Sequence, residues 1–341
     1  MTGKIFDDVL GNIKAGIRGE NVGLSMGFNR LTEYLPGVQR GTYTLIGAES
    51  SVGKTAFVDN CYVFNPYDYV KQNPQFKLNI IYFSFEIDAQ IKLTKAIARK
   101  IYLDHGELLD VNYILSRGKN RIRKEHYDMV LQQASYFYEL ENNLHIYDVP
   151  MTPTEMKSVL YEYSKQYGNW KGSYYFPNKG TENLYTIVVV DHVGLVKTEP
   201  GKDKKQTIDE LSAALIHFRN KCKFSPVVLS QFNRSISSTD RMKLDRVVPQ
   251  TSDFKDSNNT VEDANVVLAL FSPNRYEIEN FRGYNTKLIG NRFRSLSIIK
   301  NRDGEADKFI GLKFMGEVGH FSELPRASEM TEADYTAILN S

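Results

Sequence analysis

The chain has 341 residues, 41% hydrophobic content and a formal net charge of +2, enough for one large α/β domain or two small ones. A charge this small excludes capture of nucleic acid by a global field, so DNA binding would have to come from local loops. No apolar run approaches the roughly 18 residues of a membrane span, and no secretory leader is recognisable. Cys61 and Cys222 lie in helix-like apolar contexts and are expected to be reduced core residues. We expect a soluble, cytoplasmic protein with no membrane partner.

The first predicted element is an amphipathic helix over residues 4–17, whose apolar residues recur at helical spacing ahead of Gly19 and Gly23. A helix on such a glycine-flanked tether either packs on its own domain or docks on a neighbouring subunit. We expect the second arrangement, with residues 1–22 forming a linker segment.

From Met26 onward, strand patterns alternate with helix patterns. The predicted strands are Tyr43–Ile46, Asn79–Ser84, Leu144–Tyr147, Thr186–Val190, Ser225–Ser230, Asn265–Phe271, Leu296–Lys300 and Phe309–Phe314. The predicted helices are Lys54–Val63, Ala89–Asp104, Arg123–Glu141, Thr154–Tyr167 and Ile208–Lys221. Strands separated by helices predict parallel crossovers with helices on both faces of the sheet.

The end of the chain follows a different pattern. The last two predicted strands flank Asp303-Gly304, which predicts an antiparallel pair. Residues Thr331–Asp334 resemble a capping box that opens a final short helix. The predicted fold is therefore an α/β domain over residues 23–326, with a mostly parallel sheet, a C-terminal antiparallel hairpin and a tail over 327–341.

Two stretches resemble insertions into this regular pattern. Asn65–Lys77 is rich in Pro, Asn and Tyr, and Gly168–Leu184 contains Gly, Asn, Pro and the only tryptophan, Trp170. We expect both to be surface loops.

The strongest motif is a phosphate-binding loop between Thr44 and Phe57. A short apolar strand breaks into a loop of small residues that ends in Gly-Lys-Thr at the start of a helix pattern. Backbone N–H groups of such a loop face phosphates, its lysine reaches the β- and γ-oxygens, and its Thr hydroxyl binds Mg²⁺. The alternative is a chance turn. The residues expected to bind nucleotide are Ala48, Ser51, Val52, Gly53, Lys54, Thr55 and Ala56, with Thr55 also a metal ligand.

Three predicted strands end in polar groups beside this loop. Glu86 follows one strand and can deprotonate a water for attack on the γ-phosphate, while Asp191 follows another and can hold Mg²⁺. Gln231 ends a third strand and can sense the γ-phosphate. Each has a structural alternative, namely a helix-start carboxylate, a common strand-end aspartate and a strand-end cap.

Lys300 and Arg302 alternate on the late hairpin and share one face. They can neutralise transition-state charge in a neighbouring subunit's site, as an arginine finger does. The alternative is a charged edge strand that prevents aggregation.

Taken together, these motifs resemble the motor domain of the DnaB-type replicative helicases, over about residues 23–322. The resemblance is carried by 27–31, by 48–57 with its alanine at the first loop position, by 82–86, 188–191, 229–234, 252–256, 262–265 and 300–304. It implies a RecA-like fold and a hexameric ring that encircles single-stranded DNA. It assigns Glu86 as catalytic glutamate, Asp191 as Walker B aspartate, Gln231 as sensor, and Lys300 and Arg302 as the trans-acting pair.

The resemblance also places Lys255, Asp256 and Asn258 in the central channel, gripping the DNA backbone. Two basic loops, 197–205 and 234–246, can add phosphate contacts, the second through Arg234. The alternative for both loops is ordinary solvated charge.

The leading hypothesis is an ATP-dependent, Mg²⁺-requiring hexameric helicase that moves 5′→3′ on single-stranded DNA, with a primase and a helicase loader as further partners. Direction, ring form and partners come from the resemblance. One alternative is a RecA-like filament-forming recombinase. Another is a helicase-derived, DNA-binding assembly factor with little turnover.

Overall fold

The computed structural model describes residues 2–19, 21–233, 236, 247–255 and 258–339. Its described strands are β1 (Thr44–Ala48), β2 (Lys77–Ser84), β3 (Leu144–Tyr147), β4 (Gly168–Lys171), β5 (Tyr174–Pro177), β6 (Leu184–Asp191), β7 (Ser225–Gln231), β8 (Val266–Phe271), β9 (Asn280–Phe281), β10 (Tyr284–Asn285), β11 (Phe293–Asn301), β12 (Lys308–Met315) and β13 (His320–Glu323). Nine of them form one sheet in the order β13-β12-β11-β8-β1-β7-β6-β2-β3.

The described α-helices mostly lie between these strands, with two before the first strand and one after the last. They are α1 (Thr2–Ile17), α2 (Asn29–Thr32), α3 (Lys54–Val58), α4 (Asn65–Gln72), α5 (Ala89–His105), α6 (Val111–Ile114), α7 (Lys124–Gln132), α8 (Ala134–Glu141), α9 (Pro153–Tyr167), α10 (Lys204–Cys222), α11 (Asn258–Asp263), α12 (Thr286–Ile289) and α13 (Glu332–Leu339). A π-helical turn, Asp59–Phe64, joins α3 to α4.

The sheet has a parallel part and an antiparallel part. Strands β3, β2, β6, β7, β1 and β8 are parallel neighbours, while β11, β12 and β13 pair antiparallel at one side. The predicted mostly parallel sheet with a late antiparallel pair is therefore confirmed. Because the central strands are parallel, the carboxyl ends of β1, β2, β6 and β7 meet at one edge.

Alternate side chains of the central strands enter two separate cores. On β1, Ile46 packs with α3, α4 and α5 in one core, and Leu45 packs with α9 and α10 in the other. The strands are nearly continuous in apolar residues because both faces are covered. Cys61 and Cys222 are both buried and free, as expected.

The first predicted insertion is not a loop. Residues 65–72 form α4, and only 73–76 connect it to β2. Pro66 lies just past the π-helical turn, where the regular α-helical hydrogen-bond pattern is already interrupted, so a residue without an N–H is accommodated there. Tyr67 is 3% exposed and belongs to the core. The prediction of a surface loop was wrong here because the helix is secured by tertiary burial rather than by propensity.

The second predicted insertion is a loop only in part. Residues 168–177 form the antiparallel hairpin β4–β5, and 178–183 lead from it into β6. Trp170 and Tyr175 are cross-strand partners that pack against the core on the α9 and α10 side. The hairpin exists because these two rings bury one of its faces.

The two ends of the chain form helices, as predicted. In α1, the exposed side chains include Phe6 at 63%, Ile13 at 54% and Ile17 at 81%. At the other end, Thr331 and Asp334 cap α13 through reciprocal hydrogen bonds. None of the helices in the described ranges is long and apolar enough to cross a bilayer.

Candidate nucleotide-binding site

The loop that follows β1 forms one wall of a cleft of about 840 Å³. Gly53 caps the start of α3 with φ +102°, a conformation that glycine adopts without steric cost. A Cβ at this position would lie 2.8 Å from Cζ of Phe314. Lys54, Thr55 and Ala56 follow on α3 and line the cleft. Two of the predicted loop residues, Ala48 and Val52, are buried and do not line the cavity. The other five line it, at the start of a helix whose free N–H groups favour an anion.

Strand β7 lies directly beside β1 and brings Gln231 to this loop. Ala48 and Gln231 are paired in register, and the Gln231 side-chain amide donates a hydrogen bond to the Ser50 hydroxyl. Lys54 donates from Nζ to the carbonyl oxygen of Ser230 at 3.2 Å. Both groups predicted to contact the γ-phosphate therefore lie at the same sheet edge.

Glu86 stands just beyond the end of β2. Its side chain is exposed and lines the cleft. The N–H of Phe85 donates to the carbonyl oxygen of Asp191 at 2.8 Å, which extends the β2–β6 pairing past the last strand residue. The backbone thus places Glu86 next to the end of β6, within reach of water in the cleft.

Asp191 is fully buried at the end of β6. Its Oδ2 accepts a hydrogen bond from the Tyr82 hydroxyl at 3.5 Å, while Oδ1 is buried and lacks a partner among the described residues. A buried carboxylate oxygen without a donor is costly, and a hard cation with oxygen ligands relieves that cost. The donor set of Asp191 and the Thr55 hydroxyl fits Mg²⁺.

A buried polar group beneath the cleft was not anticipated from the sequence. Lys92 of α5 bonds both carboxylate oxygens of Asp59, at 2.8 and 3.0 Å, and its ammonium lies 3.8 Å from the ring centroid of Tyr82. Burial raises the pKa of Asp59, and the Lys92 charge opposes that rise. This ion pair joins the helix that follows Glu86 to the helix that follows the phosphate loop.

The far wall of the cleft comes from the antiparallel strands. Phe314, Val318 and the glycines beside them line it, and Phe314 stacks on Phe321 at 4.3 Å. Arg294 is 3% exposed and donates from Nε to the carbonyl oxygen of Val52 at 2.8 Å. Burial lowers the pKa of Arg294 to about 10, so it remains cationic at neutral pH. No sequence signal marked Arg294, because Arg292, Ser295 and Ser297 surround it.

Lys300 and Arg302 lie outside this cleft, at the opposite edge of the sheet. Lys300 donates from Nζ to the carbonyl oxygens of Val261 and Glu262, at 2.9 and 2.8 Å, and Arg302 also donates to Glu262. Burial lowers the pKa of Lys300, and the neighbouring Arg302 charge lowers it further. The structure thus separates the two cations from the chain's own phosphate loop.

The predicted DNA contacts are described only in part. Lys255 is exposed, and its backbone N–H donates to the carbonyl oxygen of Gln231 at 3.0 Å. Asn258 begins α11. Arg234 and Asp256 lie outside the described residues. Among the residues that the structure covers, no three His, Cys, Asp or Glu side chains form a metal-binding group.

Comparisons with known proteins agree with this geometry. The DnaB-like helicase C terminal domain family matches residues 23–323. The chain is 22% identical to the replicative DNA helicase DnaB of Haemophilus influenzae over 92% of the chain and 58% of that protein. The chain spans 45–58% of the length of the curated replicative helicases compared with it.

Two solved structures share the fold. An ATPase domain, solved by itself, aligns with a TM-score of 0.67 and 21% identity, covering 94% of this chain and 98% of that one. A DnaB-like replicative helicase, solved to show its interactions with primase, aligns with a TM-score of 0.68 and 20% identity over 94% of this chain and 68% of that one. The fold is thus RecA-like. The chain belongs to the DnaB-like helicase C-terminal domain family.

Proposed function

We propose that this chain is the motor domain of an ATP-dependent replicative DNA helicase, which assembles as a ring hexamer and moves 5′→3′ on single-stranded DNA. The observation that carries the proposal is the position of Arg302 relative to the phosphate loop. A DnaB-like motor needs a cation from a neighbour at each nucleotide. Lys300 and Arg302 lie outside the cleft of their own chain, which supports a role at a neighbour's nucleotide.

The residues of the cleft have distinct roles in hydrolysis. Lys54 and the loop N–H groups bind the phosphates of ATP, and Gln231 contacts the γ-phosphate. Glu86 accepts a proton from the attacking water, because it is the exposed carboxylate beside the end of β6. Thr55 and Asp191 would hold Mg²⁺, which would supply positive charge against the phosphate oxygens.

The distance between the two edges of the sheet supports a trans arrangement. The N–H of Arg302 donates to the carbonyl oxygen of Asn265, one residue before β8 begins. Val266 is level with Thr44, and the phosphate loop starts only after Ala48. At about 3.3 Å per residue, the Arg302 backbone lies at least about 15 Å along the strands from the start of the phosphate loop. An arginine side chain is too short to span that distance.

The N-terminal helix supplies a further reason to expect an oligomer. Its exposed apolar residues are Phe6, Val9, Leu10, Ile13 and Ile17. Such a stripe on one helix is typical of a docking surface. We propose that residues 1–22 form a linker that packs on the next subunit, that 23–326 form the motor, and that 327–341 form a tail.

The DNA contact is proposed for the loop that carries Lys255. This loop is tied to the sensor strand by the Lys255 N–H and by a backbone bridge between Phe232 and Phe254. A change at Gln231 during hydrolysis therefore acts directly on the backbone of the DNA loop. A primase and a loader are proposed as further partners in the cytoplasm, since the helicase of the second solved structure is described with primase.

ATP hydrolysis with and without single-stranded DNA tests this proposal. We expect the strand to stimulate turnover and Glu86→Gln to lower it by about 10²–10⁴-fold, the usual contribution of a general base. Glu141→Gln, an exposed glutamate at the end of α8, is the matched control and should leave turnover unchanged. If single-stranded DNA did not stimulate ATP turnover by the wild-type chain, the helicase function would be refuted. Full activity of Glu86→Gln would remove the assigned base.

A further inference from the structure

The hairpin β4–β5 has two faces of different character. Cross-strand pairing places Trp170 opposite Tyr175 on one face, and Lys171 opposite Tyr174 on the other. The indole N–H of Trp170 donates to the Ser164 hydroxyl at 2.8 Å, and its ring stacks on His217 at 5.5 Å. The first face is therefore anchored on α9 and α10, and the second faces outward.

The outward face presents aromatic rings to solvent. Tyr174 is 66% exposed and Phe176 is 51% exposed, and both lie on β5 two residues apart. Exposed neighbouring rings of this kind are unusual on a surface that has no partner.

Each of these rings has a lysine over it. The ammonium of Lys221 lies 5.3 Å from the Tyr174 ring centroid, and that of Lys171 lies 5.8 Å from the Phe176 ring centroid. We call this surface the hairpin platform; its members are Lys171, Tyr174, Phe176 and Lys221.

The surroundings of the platform are basic. The charges of Lys157 and Lys221 add to burial in lowering the pKa of His217. From Leu211 to Lys223 the chain contains no carboxylate. Of the nearby acids, Glu162 is paired with Lys165 at 2.8 Å, and hydrogen bonds from the backbone hold the pKa of Glu182 below its usual value, so it stays an anion beside Arg40.

Rings interleaved with cations match one chemical class of ligand. Unpaired bases stack on aromatic side chains whatever their identity, and the phosphates between them pair with lysines. A duplex does not offer its base faces to such rings. We propose that the hairpin platform binds single-stranded DNA, as a second contact that rests on the proposed function.

The platform is remote from the channel loop. Six residues, 178–183, lead from the hairpin into the first residue of β6, so the platform belongs to the amino-terminal edge of the sheet. Lys255 lies at the carboxyl-terminal edge beside Gln231. Since β6 has eight residues, the two edges are roughly 25 Å apart. A strand held at the platform is thus a different contact from one held by Lys255.

Equilibrium binding of the full chain to two labelled strands tests the platform. One strand is oligothymidylate, and the other is an abasic oligomer with the same phosphates. We expect the double variant Tyr174→Ala/Phe176→Ala to bind oligothymidylate at least tenfold more weakly, with the abasic strand unaffected. Lys171→Ala and Lys221→Ala should each lower the slope of log affinity against log salt by about 0.7. Tyr138→Ala, which removes a 71% exposed ring on α8, is the matched control.

The outcomes separate the platform from the channel. If the double variant binds like wild type while Lys255→Ala binds more weakly, the platform is refuted and the proposed function stands. If the wild-type chain binds neither oligothymidylate nor the abasic strand, both the hairpin platform and the proposed function are refuted. If the double variant lost affinity equally for the abasic strand, the rings would not act by stacking on bases, and the proposal would also be overturned. Because the replaced rings are exposed, the thermal midpoint should match wild type.

Discussion

Removal of the Arg302 guanidinium tests how the nucleotide site is completed. The Arg302 backbone lies at least about 15 Å along the strands from the start of its own phosphate loop, farther than its side chain can reach. An arginine supplied by a neighbouring subunit contributes about 10³–10⁵-fold to turnover in related phosphoryl-transfer enzymes. We therefore expect Arg302→Ala to abolish measurable ATP hydrolysis while nucleotide binding stays near wild type.

Mixed assemblies provide the assay. Lys54→Ala removes the phosphate-binding lysine but keeps Arg302, whereas Arg302→Ala keeps an intact cleft. Each variant alone should be inactive. In an equal random mixture, about one quarter of head-to-tail interfaces combine an intact cleft with an intact Arg302, so about a quarter of wild-type turnover should return.

The same mixture can also refute the action of Arg302 on a neighbouring subunit's nucleotide. If subunits exchange but turnover does not rise above that of the separate variants, Arg302 does not act on a neighbour's nucleotide. Exchange is checked independently with subunits carrying two different fluorophores. A normal rate for Arg302→Ala alone would show that the cation is only part of a charged edge strand.

Three further predictions concern the cleft and its supports. Gly53→Ala should abolish nucleotide binding, since its Cβ would lie 2.8 Å from Phe314 at φ +102°; Gly201→Ala, also at positive φ but with open space, should bind normally. Lys92→Met should lower the free energy of unfolding in urea by about 3–5 kcal/mol, because Asp59 loses its buried counterion. Adding Asp59→Leu to Lys92→Met should recover most of the lost free energy of unfolding, and no recovery would contradict the pairing of Lys92 with Asp59. Burial lowers the pKa of His320 from 6.5 to about 4. Between these values only the unfolded chain gains the proton, so stability falls as pH falls. His320→Phe should remove up to about 3 kcal/mol of that loss, and an unchanged pH dependence would contradict it.

The sequence predicted the central sheet well because buried parallel strands are continuous apolar runs. The run from Thr186 to Val190 is one example, and the structure extends it by only two residues at one end and one at the other. The polar residue that ends such a run, Asp191, could be placed at the site because parallel strands share a carboxyl edge. Asp191 could therefore be placed without knowing any individual side-chain contact.

The loop predictions made from local composition were wrong where tertiary burial determines the structure. Pro, Asn and Tyr between Asn65 and Lys77 are typical of a loop, yet Tyr67 enters the core and holds α4 in place. In the same way, the hairpin β4–β5 depends on Trp170 meeting His217, which lies 47 positions along the chain. Neither contact has a sequence period that could reveal it.

The contacts of the residues that support the site could also not be predicted from the sequence. Lys92 and Asp59 meet across 33 positions, and Arg294 reaches Val52 across 242. Other polar residues stand next to or near Lys92, Asp59 and Arg294 in the sequence, so the pattern does not show that they are buried. Burying an unpaired charge is costly, so a buried charge indicates that a partner exists, but it does not identify the partner.

Unwinding of a forked DNA substrate tests the central claim most directly. One fork carries a single-stranded 5′ tail and the other a 3′ tail, and strand separation is followed with ATP in the wild-type chain and in Glu86→Gln. We predict unwinding that depends on ATP, requires the 5′ tail on the encircled strand and is lost in Glu86→Gln. Stimulated hydrolysis without separation of either fork would contradict a helicase motor, and preference for the 3′ tail would contradict the proposed direction.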